Sequence, residues 1–440
     1  MRRWVTRIIL GLLALLLVAG VAGYWYLRPL LLTGTGYASH SACAMSEFAD
    51  AGPDLPPNPL VPYLRTDANR DGATSSVLGV LAKQRSWYTR GYGCTLAERR
   101  PDFGSFTAVS ANDLTKAPAP TASPEVEAAL ARAFGDDLLD AGPEHLGTRA
   151  VVVLKGGELV AERYADGFDA TTPQLGWSMA KSVTNLLVGR LVEQGGLELD
   201  DTGLRPEWTD ERKNISIDDL LRMTSGLAWD ETYDLGTPIT RMLYLEPDMA
   251  AYVAGLDLAH PVGEFQQYSS GSTTLLCSVL TELTRIGPDL PRQKLFAPLG
   301  LSSAVWEPDA AGTPVCGSYL WASPRDWASI GQFALQDGVW EGKRLLPEGW
   351  MAESTTVVPV AQTDEVGYAA GWRVNKLPDG SLADPGLPAD TFWAVGHDGQ
   401  RLYVVPSADV VVVRLGFSPG VSSEDLRTDE LVADMVSATG

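Results

Sequence analysis

A nearly unbroken apolar run at residues 8–27 most limits what this chain can fold into. Arg2, Arg3 and Arg7 precede the run, and its length is about enough for a helix to span a hydrocarbon core of roughly 30 Å. The cationic flank predicts a cytoplasmic N-terminus, with everything after Arg28 on the outside. The pattern favours an uncleaved single-pass anchor, and a cleaved signal peptide is the alternative. Both interpretations make the remaining chain extracytoplasmic.

Charge and cysteine content narrow the class of protein. The 440 residues carry a formal net charge of −21, which gives no electrostatic support to nucleic-acid binding. Disulfides persist outside the cytoplasm, and Cys43 and Cys94 are the first choice for a bridge. Cys277 and Cys316 can pair or remain buried free thiols. The cysteines and histidines show no metal-ligand spacing, so neither a metal nor another cofactor is expected.

Composition divides the chain into three regions. Residues 1–30 hold the anchor or signal segment. Residues 31–118 are weakly periodic and contain several prolines, which predicts a loop-rich extracytoplasmic extension. Residues 119–440 form the main domain, and its first helix is predicted to run from Ser123, as N-cap, to Gly135.

Strand patterns occur at both ends of the main domain. The strand-like segments are residues 149–155, 158–164, 392–396, 401–405 and 410–415. Gly156-Gly157 predicts a hairpin between the first two segments. The intervening patterns are mostly helical, including residues 324–335, and Ser422 with Asp425 has the spacing of a capping box that begins a closing helix. The expected class is α/β of the α+β type, with a mainly helical insertion between the strands.

Ser178-Met179-Ala180-Lys181 opens an amphipathic helical stretch. A serine and a lysine three residues apart share one helix face, so the amine lies within reach of the hydroxyl. A neighbouring amine can accept the proton of a serine hydroxyl and make it a nucleophile. The helix N-terminus also supplies N–H groups suited to a developing oxyanion. The simpler alternative is a solvated helix face, because Ser-x-x-Lys also arises by chance.

Further segments complete a pattern with this tetrad. They are WSMAKS at 177–182, LLRMTSGL at 220–227, YSSG at 268–271, PRDWA at 324–328 and GHDGQ at 396–400. Together they resemble the class C β-lactamase-like, penicillin-binding-protein-like serine hydrolases, and within them the 6-aminohexanoate-dimer hydrolase and esterase branch. The resemblance covers about residues 120–440. It implies a β-lactamase/transpeptidase-like fold, with an antiparallel sheet flanked by helices and a mainly helical lobe, here preceded by an N-terminal transmembrane helix.

The resemblance implies a role for individual residues. Ser178 would be the nucleophile, Lys181 its proton acceptor during acylation, and Tyr268 the group that shuttles a proton to the leaving group. The backbone N–H groups of Ser178 and Gln400 would form the oxyanion hole. Ser270 stands where the family has an asparagine, and it would bond Lys181 or the substrate. A core tyrosine is the simpler interpretation of Tyr268.

Four further residues are candidates for substrate binding. His397 stands where penicillin-recognising enzymes have a lysine, and a histidine is mostly neutral at pH 7, which favours neutral esters or amides. Gly399 would let the substrate approach its strand closely. Trp229 and Tyr233 would rim the site. The alternatives are a histidine that caps a strand end and a polar, aromatic surface loop.

These features together predict an outward-facing membrane serine hydrolase. It would form an acyl-enzyme on Ser178 and hydrolyse a small-molecule ester or linear amide. Its partners would be that substrate and the membrane through residues 8–27, with no nucleic acid. The alternatives are a D-Ala-D-Ala carboxypeptidase or β-lactamase, and a non-catalytic cell-wall-binding protein.

Overall fold

A computed structural model describes residues 2–138 and 146–438. The helices are α1 (Arg2–Phe48), α2 (Asp113–Lys116), α3 (Pro124–Phe134), α4 (Met179–Glu193), α5 (Ile217–Leu221), α6 (Pro238–Leu245), α7 (Met249–Ala254), α8 (Ser270–Thr284), α9 (Ala297–Leu299), α10 (Pro324–Leu335), α11 (Trp350–Ser354) and α12 (Thr428–Ala438). The strands are β1 (Leu64–Asn69), β2 (Gly72–Val77), β3 (Leu81–Thr89), β4 (Gly93–Leu96), β5 (Thr148–Lys155), β6 (Glu158–Tyr164), β7 (Gln174–Leu175), β8 (Phe265–Gln266), β9 (Val305–Trp306), β10 (Leu320–Ala322), β11 (Val339–Trp340), β12 (Lys343–Arg344), β13 (Gln362–Thr363), β14 (Arg373–Val374), β15 (Phe392–Gly396), β16 (Gln400–Val405) and β17 (Val410–Gly416).

A six-stranded antiparallel sheet organises the main domain, in the order β14-β15-β16-β17-β5-β6. β17 pairs with β5, so the sheet joins strands from the two ends of the domain, as the sequence predicts. Alternate residues of the strands point to opposite faces. Val152 of β5 packs in the core with α4 and α10, whereas Val153 packs with α3 and α12. Both faces of the sheet are therefore covered by helices.

The helical lobe lies between β6 and β14 in sequence. α8 is its centre, because α4, α5, α6 and α7 all contact it. The Cys277–Cys316 disulfide joins α8 to the segment that precedes β10. This bond decides between the two alternatives for these cysteines in favour of pairing.

The structure corrects the description of residues 31–118 as loop-rich. α1 continues to Phe48, and β1 to β4 form an antiparallel four-stranded sheet against it. The helix was hidden in sequence because its second half is rich in small and polar residues, which are weak helix formers. Close packing stabilises it: a Cβ on Gly34 would lie 2.3 Å from the Leu60 side chain. The predicted Cys43–Cys94 bridge is present and joins α1 to β4.

The first half of α1 has a different environment. This half contains the apolar run, whose side chains are exposed. Among the described residues, α1 is the one helix that is long and apolar enough to cross a membrane. A signal sequence fits the same description.

The start of the closing helix is a second correction. Ser422 and Asp425 do make capping contacts, with 3.1 Å between the Asp425 N–H and the Ser422 hydroxyl. The helix itself begins only at Thr428, because Arg427 has a left-handed φ of 53° that interrupts helical geometry.

Candidate active site

Ser178 lies at the junction between β7 and α4, where it is the N-cap residue of the helix. The preceding Trp177 has a φ of 48°, an uncommon conformation for a bulky residue that turns the chain sharply. The end of β15 packs directly against this turn, because a Cβ on Gly396 would lie 2.1 Å from the Gly176 carbonyl oxygen. The turn therefore holds Ser178 beside the end of β15 in the six-stranded sheet.

Lys181 lies one helical turn beyond Ser178 and is 1% exposed. Its Nζ is 2.9 Å from Ser178 Oγ, 2.8 Å from Ser270 Oγ and 2.9 Å from the Gly317 carbonyl oxygen. These three contacts match the three hydrogen-bonding positions of a lysine amine and hold it in place. The structure thus brings together the serine and the lysine that the sequence predicted to be neighbours.

Tyr268 lies on the other side of the lysine. Its ring centroid is 4.7 Å from Lys181 Nζ, and its half-buried side chain lines the same cleft as Ser178. The ring packs edge-to-face against Tyr368 with 5.3 Å between centroids. Its backbone N–H donates to Asp364 Oδ1 at 3.2 Å. The Tyr268 ring therefore lies beside the buried Lys181 amine and lines the cleft together with Ser178.

Glu231 belongs to the loop that the sequence placed at the rim of the site, but its contacts reach the buried lysine. It accepts hydrogen bonds from the Ser270 hydroxyl, from the Ser270 backbone N–H at 2.9 Å, and from the Trp229 indole at 2.5 Å. A continuous chain of contacts thus runs from Glu231 through Ser270 and Lys181 to Ser178. Its sequence signal was only its place between two aromatic residues in the loop after Ser225-Gly226.

The open cleft around Ser178 has a volume of about 970 Å³, part of it open to solvent. Tyr233 and His397 stack on each other at its edge, with ring centroids 4.4 Å apart. Both residues therefore lie where the sequence predicted substrate contacts. The neighbouring residue Asp398 is 8% exposed, and burial raises the pKa of its carboxyl, while His397 acts in the opposite direction.

Two predicted substrate-binding residues lie behind the cleft surface. Trp229 is 8% exposed, and its ring packs on Gly271, where a Cβ would lie 2.6 Å from it. Ser270 is fully buried and bonds Lys181 and Glu231. Of the two bonding partners given for Ser270, the structure shows Lys181. The assignment of Trp229 to the rim of the site is corrected, because its side chain packs behind the cleft surface.

The GHDGQ segment forms the turn between β15 and β16, so Gly399 lies in a turn and not in a strand. β15 ends at Gly396, and Gly399 adopts a φ of +89° before β16 begins. A Cβ on Gly399 would lie 2.4 Å from Arg414 Nη1, so glycine here makes room for that buried guanidinium. Gly399 does line the cleft. Gln400 is 2% exposed with its side chain bonded to Gly416, and its oxyanion role stays a prediction.

Two arginines line the cleft although no pattern in the sequence indicated a role for them. Arg373 comes from the edge strand β14 and pairs with Glu365 at 2.7 Å. Arg401 comes from β16 and donates to the Ser423 hydroxyl at 2.8 Å. Burial lowers the pKa of Arg401. Only the folded sheet brings these cations to the cleft.

The arrangement of sheet, helical lobe and cleft defines a known class. Residues 136–434 match the family model described as Beta-lactamase, which is more than half of the chain. The chain belongs to the Beta-lactamase family and is a hydrolase of that family.

Several individual proteins are similar to this chain. It is similar to the 6-aminohexanoate-dimer hydrolase of Paenarthrobacter ureafaciens, with 28% identity over 327 residues that cover 69% of this chain and 80% of the relative. A proposed 6-aminohexanoate-dimer hydrolase from Bacillus anthracis has a similar structure, with a TM-score of 0.60, 22% identity, and coverage of 76% of this chain and 91% of that one. A penicillin-binding protein homologue from Caulobacter crescentus gives a TM-score of 0.54 and 16% identity, covering 73% and 100%. The structural matches establish the β-lactamase/penicillin-binding-protein fold.

Proposed function

We propose that this protein is a serine hydrolase that cleaves an ester or linear amide through an acyl-enzyme on Ser178. The observation that carries the proposal is the buried Lys181 amine, 2.9 Å from the Ser178 hydroxyl. A buried lysine without a nucleophilic or acidic partner would be costly to retain. Here the amine contacts a half-buried hydroxyl that faces an open cleft, which suits proton transfer.

Acylation would use the contacts around the lysine. Lys181 accepts a proton only as the neutral amine, and Ser270 offers a route by which the ammonium proton reaches Glu231. Ser178 Oγ then attacks the carbonyl carbon, and its proton passes to Lys181. Tyr268 transfers a proton to the leaving group as the carbon–heteroatom bond breaks. Water then attacks the acyl carbon and gives a proton to the Tyr268 phenolate, while the bond from that carbon to Ser178 Oγ breaks and Lys181 returns its proton to Ser178 Oγ.

The backbone at Ser178 supports stabilisation of the oxyanion. The N–H groups of Met179, Ala180 and Lys181 bond to carbonyls within the turn, whereas the Ser178 N–H has no protein acceptor among residues 2–138 and 146–438. A free N–H at a helix N-terminus is a suitable oxyanion donor. Gln400 N–H would be the second donor.

The lining of the cleft favours a neutral ester or amide as the substrate. One observation favours a charged substrate instead. His397 carries no permanent charge where penicillin-recognising relatives carry a lysine. The relative from Paenarthrobacter ureafaciens is named a 6-aminohexanoate-dimer hydrolase, and two amino acids are joined by an amide bond. However, Arg401 donates no hydrogen bond to a carboxylate within the described part of the chain. A substrate carboxylate at Arg401 is the feature that favours a carboxypeptidase or β-lactamase as the second candidate.

We also propose that the catalytic domain is extracytoplasmic and anchored by α1. The exposed apolar half of that helix and the two disulfides support this location.

A panel of p-nitrophenyl esters and p-nitroanilides on the full chain tests the function. We expect Ser178→Ala and Lys181→Ala to lower kcat/KM by about 10³-fold or more, and Tyr268→Phe by about 10²-fold or more. The exposed Ser381→Ala and Lys343→Ala are matched controls that should retain wild-type rates. Stable labelling of Ser178 by a penicillin would favour the second candidate. Absence of both turnover and fluorophosphonate labelling would favour a non-catalytic protein.

A further inference from the structure

We propose that an apolar cavity beside the catalytic cleft binds the hydrocarbon chain of a membrane-derived ester or amide. The inference rests on the proposed hydrolysis at Ser178 and specifies its substrate class. It also assigns a role to the N-terminal extension, whose residues form one wall of the cavity.

The cavity is apolar and is built by two parts of the chain. It has a volume of about 600 Å³, part of it open to solvent. Leu60, Val61 and Leu64 of the extension face Leu235 and Tyr244 of the helical lobe across it. A lining made mostly of apolar side chains is typical of pockets for small apolar ligands. The extension therefore adds a binding surface that the catalytic domain lacks by itself.

The cavity adjoins the catalytic cleft. Tyr233 and His397 line both spaces, and their stacked rings form the shared wall. Ser178 lies in the cleft on the far side of this pair. A substrate whose reacting carbonyl is at Ser178 can therefore extend its chain past Tyr233 and His397 into the apolar cavity.

The position of the cavity on α1 points to the membrane as the source of the ligand. Thr33 and Gly34 line the cavity, and they lie five and six residues beyond Arg28, where the apolar run has ended. At 1.5 Å per helical residue, this separation is about 8 Å. The cavity thus lies close to the level at which a bilayer would end.

The four-stranded sheet of the extension also reaches towards the level at which a bilayer would end. β3 follows α1: Ser86 contacts Ser39 at 3.2 Å, and the Ala82 N–H donates to the Tyr24 hydroxyl at 3.2 Å. This direction brings the turn that precedes β3 towards the apolar half of α1. In that turn, Val80 is 78% exposed.

Other apolar and cationic groups share this end of the molecule. Leu78 is 58% exposed, and its N–H donates to the carbonyl of Tyr63, which is 54% exposed. Arg65 of β1 and Lys83 of β3, on the two strands that flank β2, are also exposed. In a chain with a net charge of −21, cations beside exposed apolar side chains suit an interface of anionic lipids. The occupant of the cavity is therefore assigned as a lipid chain.

Chain-length preference tests the proposal. The full chain is reconstituted in phosphatidylglycerol-containing vesicles, and kcat/KM is measured for esters with short and eight-carbon chains, placed on either the acyl or the alcohol side. Leu64→Asn makes the cavity polar and Val61→Trp fills it; both positions are half-buried, which limits the effect on folding. We expect each variant to lower the long-to-short ratio by about 10-fold or more in one of the two series. The exposed Leu283→Asn is the matched control, with an unchanged ratio.

A second measurement separates this inference from the proposed function. A decanoic acid that carries a diazirine is photo-crosslinked to the full chain and to Ser178→Ala in the same vesicles. Labelling of residues 55–64 or 233–244, reduced by Leu64→Asn, supports the cavity even if no ester is hydrolysed. Labelling confined to residues 8–27 overturns the proposal. Ser178-dependent turnover with an unchanged chain-length ratio in both cavity variants also overturns it and leaves the hydrolase assignment intact.

Discussion

At the scale of single residues, Glu231 determines how the buried lysine is held. Its carboxylate accepts both the hydroxyl and the N–H of Ser270, so the Ser270 hydroxyl is directed to donate to Glu231 and to accept from Lys181. Hydrogen bonds that involve an ionised group are stronger than neutral ones. We therefore propose Glu231 as a positioning residue that acts on Ser178, the proposed nucleophile, through Ser270 and Lys181.

Glu231→Gln tests this role. An amide nitrogen would face one of the donors that the carboxylate now accepts, and the negative charge beside the Ser270–Lys181 pair would be lost. We expect kcat to fall by roughly 10- to 100-fold with KM changed little, and the pH–rate profile to shift, because the effect is on proton transfer. Steady-state kinetics across pH measures both.

The exposed neighbour Asp230 provides the control for this change. Asp230→Asn should keep the wild-type profile. An unaltered kcat and pH profile in Glu231→Gln would contradict the role of the carboxylate.

At the scale of elements, the disulfide between Cys277 and Cys316 links α8 to the segment that supports Lys181. Gly317, the next residue after Cys316, supplies the third acceptor for the lysine amine. The Cys316 carbonyl also accepts from the Thr184 hydroxyl of α4 at 3.3 Å. The bond therefore joins the two helices of the site through one short segment.

Replacing Cys277 and Cys316 by serine should have two effects. We expect the free energy of unfolding to fall by about 2–4 kcal/mol, because the unfolded chain gains freedom. We also expect kcat to fall, because the Gly317 carbonyl is held less firmly beside Lys181. Denaturant unfolding and ester kinetics measure these changes.

The second disulfide is the matched control for the effect on kcat. Serine replacements of Cys43 and Cys94 should cost a similar free energy of unfolding, since the loop is of comparable length, 51 residues against 39. Their effect on kcat should be smaller because that bond joins α1 to β4. An equal loss of kcat in both double variants would contradict the link to Lys181.

At the scale of the whole molecule, Glu307 joins the extension to the catalytic domain. The Glu307 side chain is fully buried and lies 2.8 Å from the His40 ring of α1. It also accepts from the Cys94 N–H at 2.6 Å and from the Trp321 indole at 3.0 Å. One carboxylate thus ties together α1, the extension sheet and the domain core.

Glu307→Ala should loosen the attachment of the extension. Three buried donors would lose their acceptor, which we expect to cost about 3–5 kcal/mol of unfolding free energy. Denaturant unfolding and limited proteolysis between residues 50 and 60 measure the change. The exposed Glu264→Ala should behave as wild type. Unchanged stability and proteolysis in Glu307→Ala would show that other contacts hold the extension.

Local patterns predicted much of the main domain because the stabilising contacts there are close in sequence. The hairpin at Gly156-Gly157 and α10 at Pro324–Leu335 lie where turn chemistry and periodicity placed them. The extension was misjudged because its polar strands and small helical residues carry little periodic signal. Their stability comes from each other and from partners far along the chain, as in the 2.7 Å bond from Gln84 Nε2 to the Tyr244 carbonyl.

The sequence by itself determined the short-range part of the site: Ser178 and Lys181 share a helix face because of their three-residue spacing. Only the tertiary structure decided what surrounds the lysine, since Ser270 and Gly317 lie 89 and 136 residues from it. The same holds for the cavity between the extension and Tyr233. Helical spacing is set by local backbone geometry, whereas burial and hydrogen-bond partners depend on which distant segments the folded core brings together.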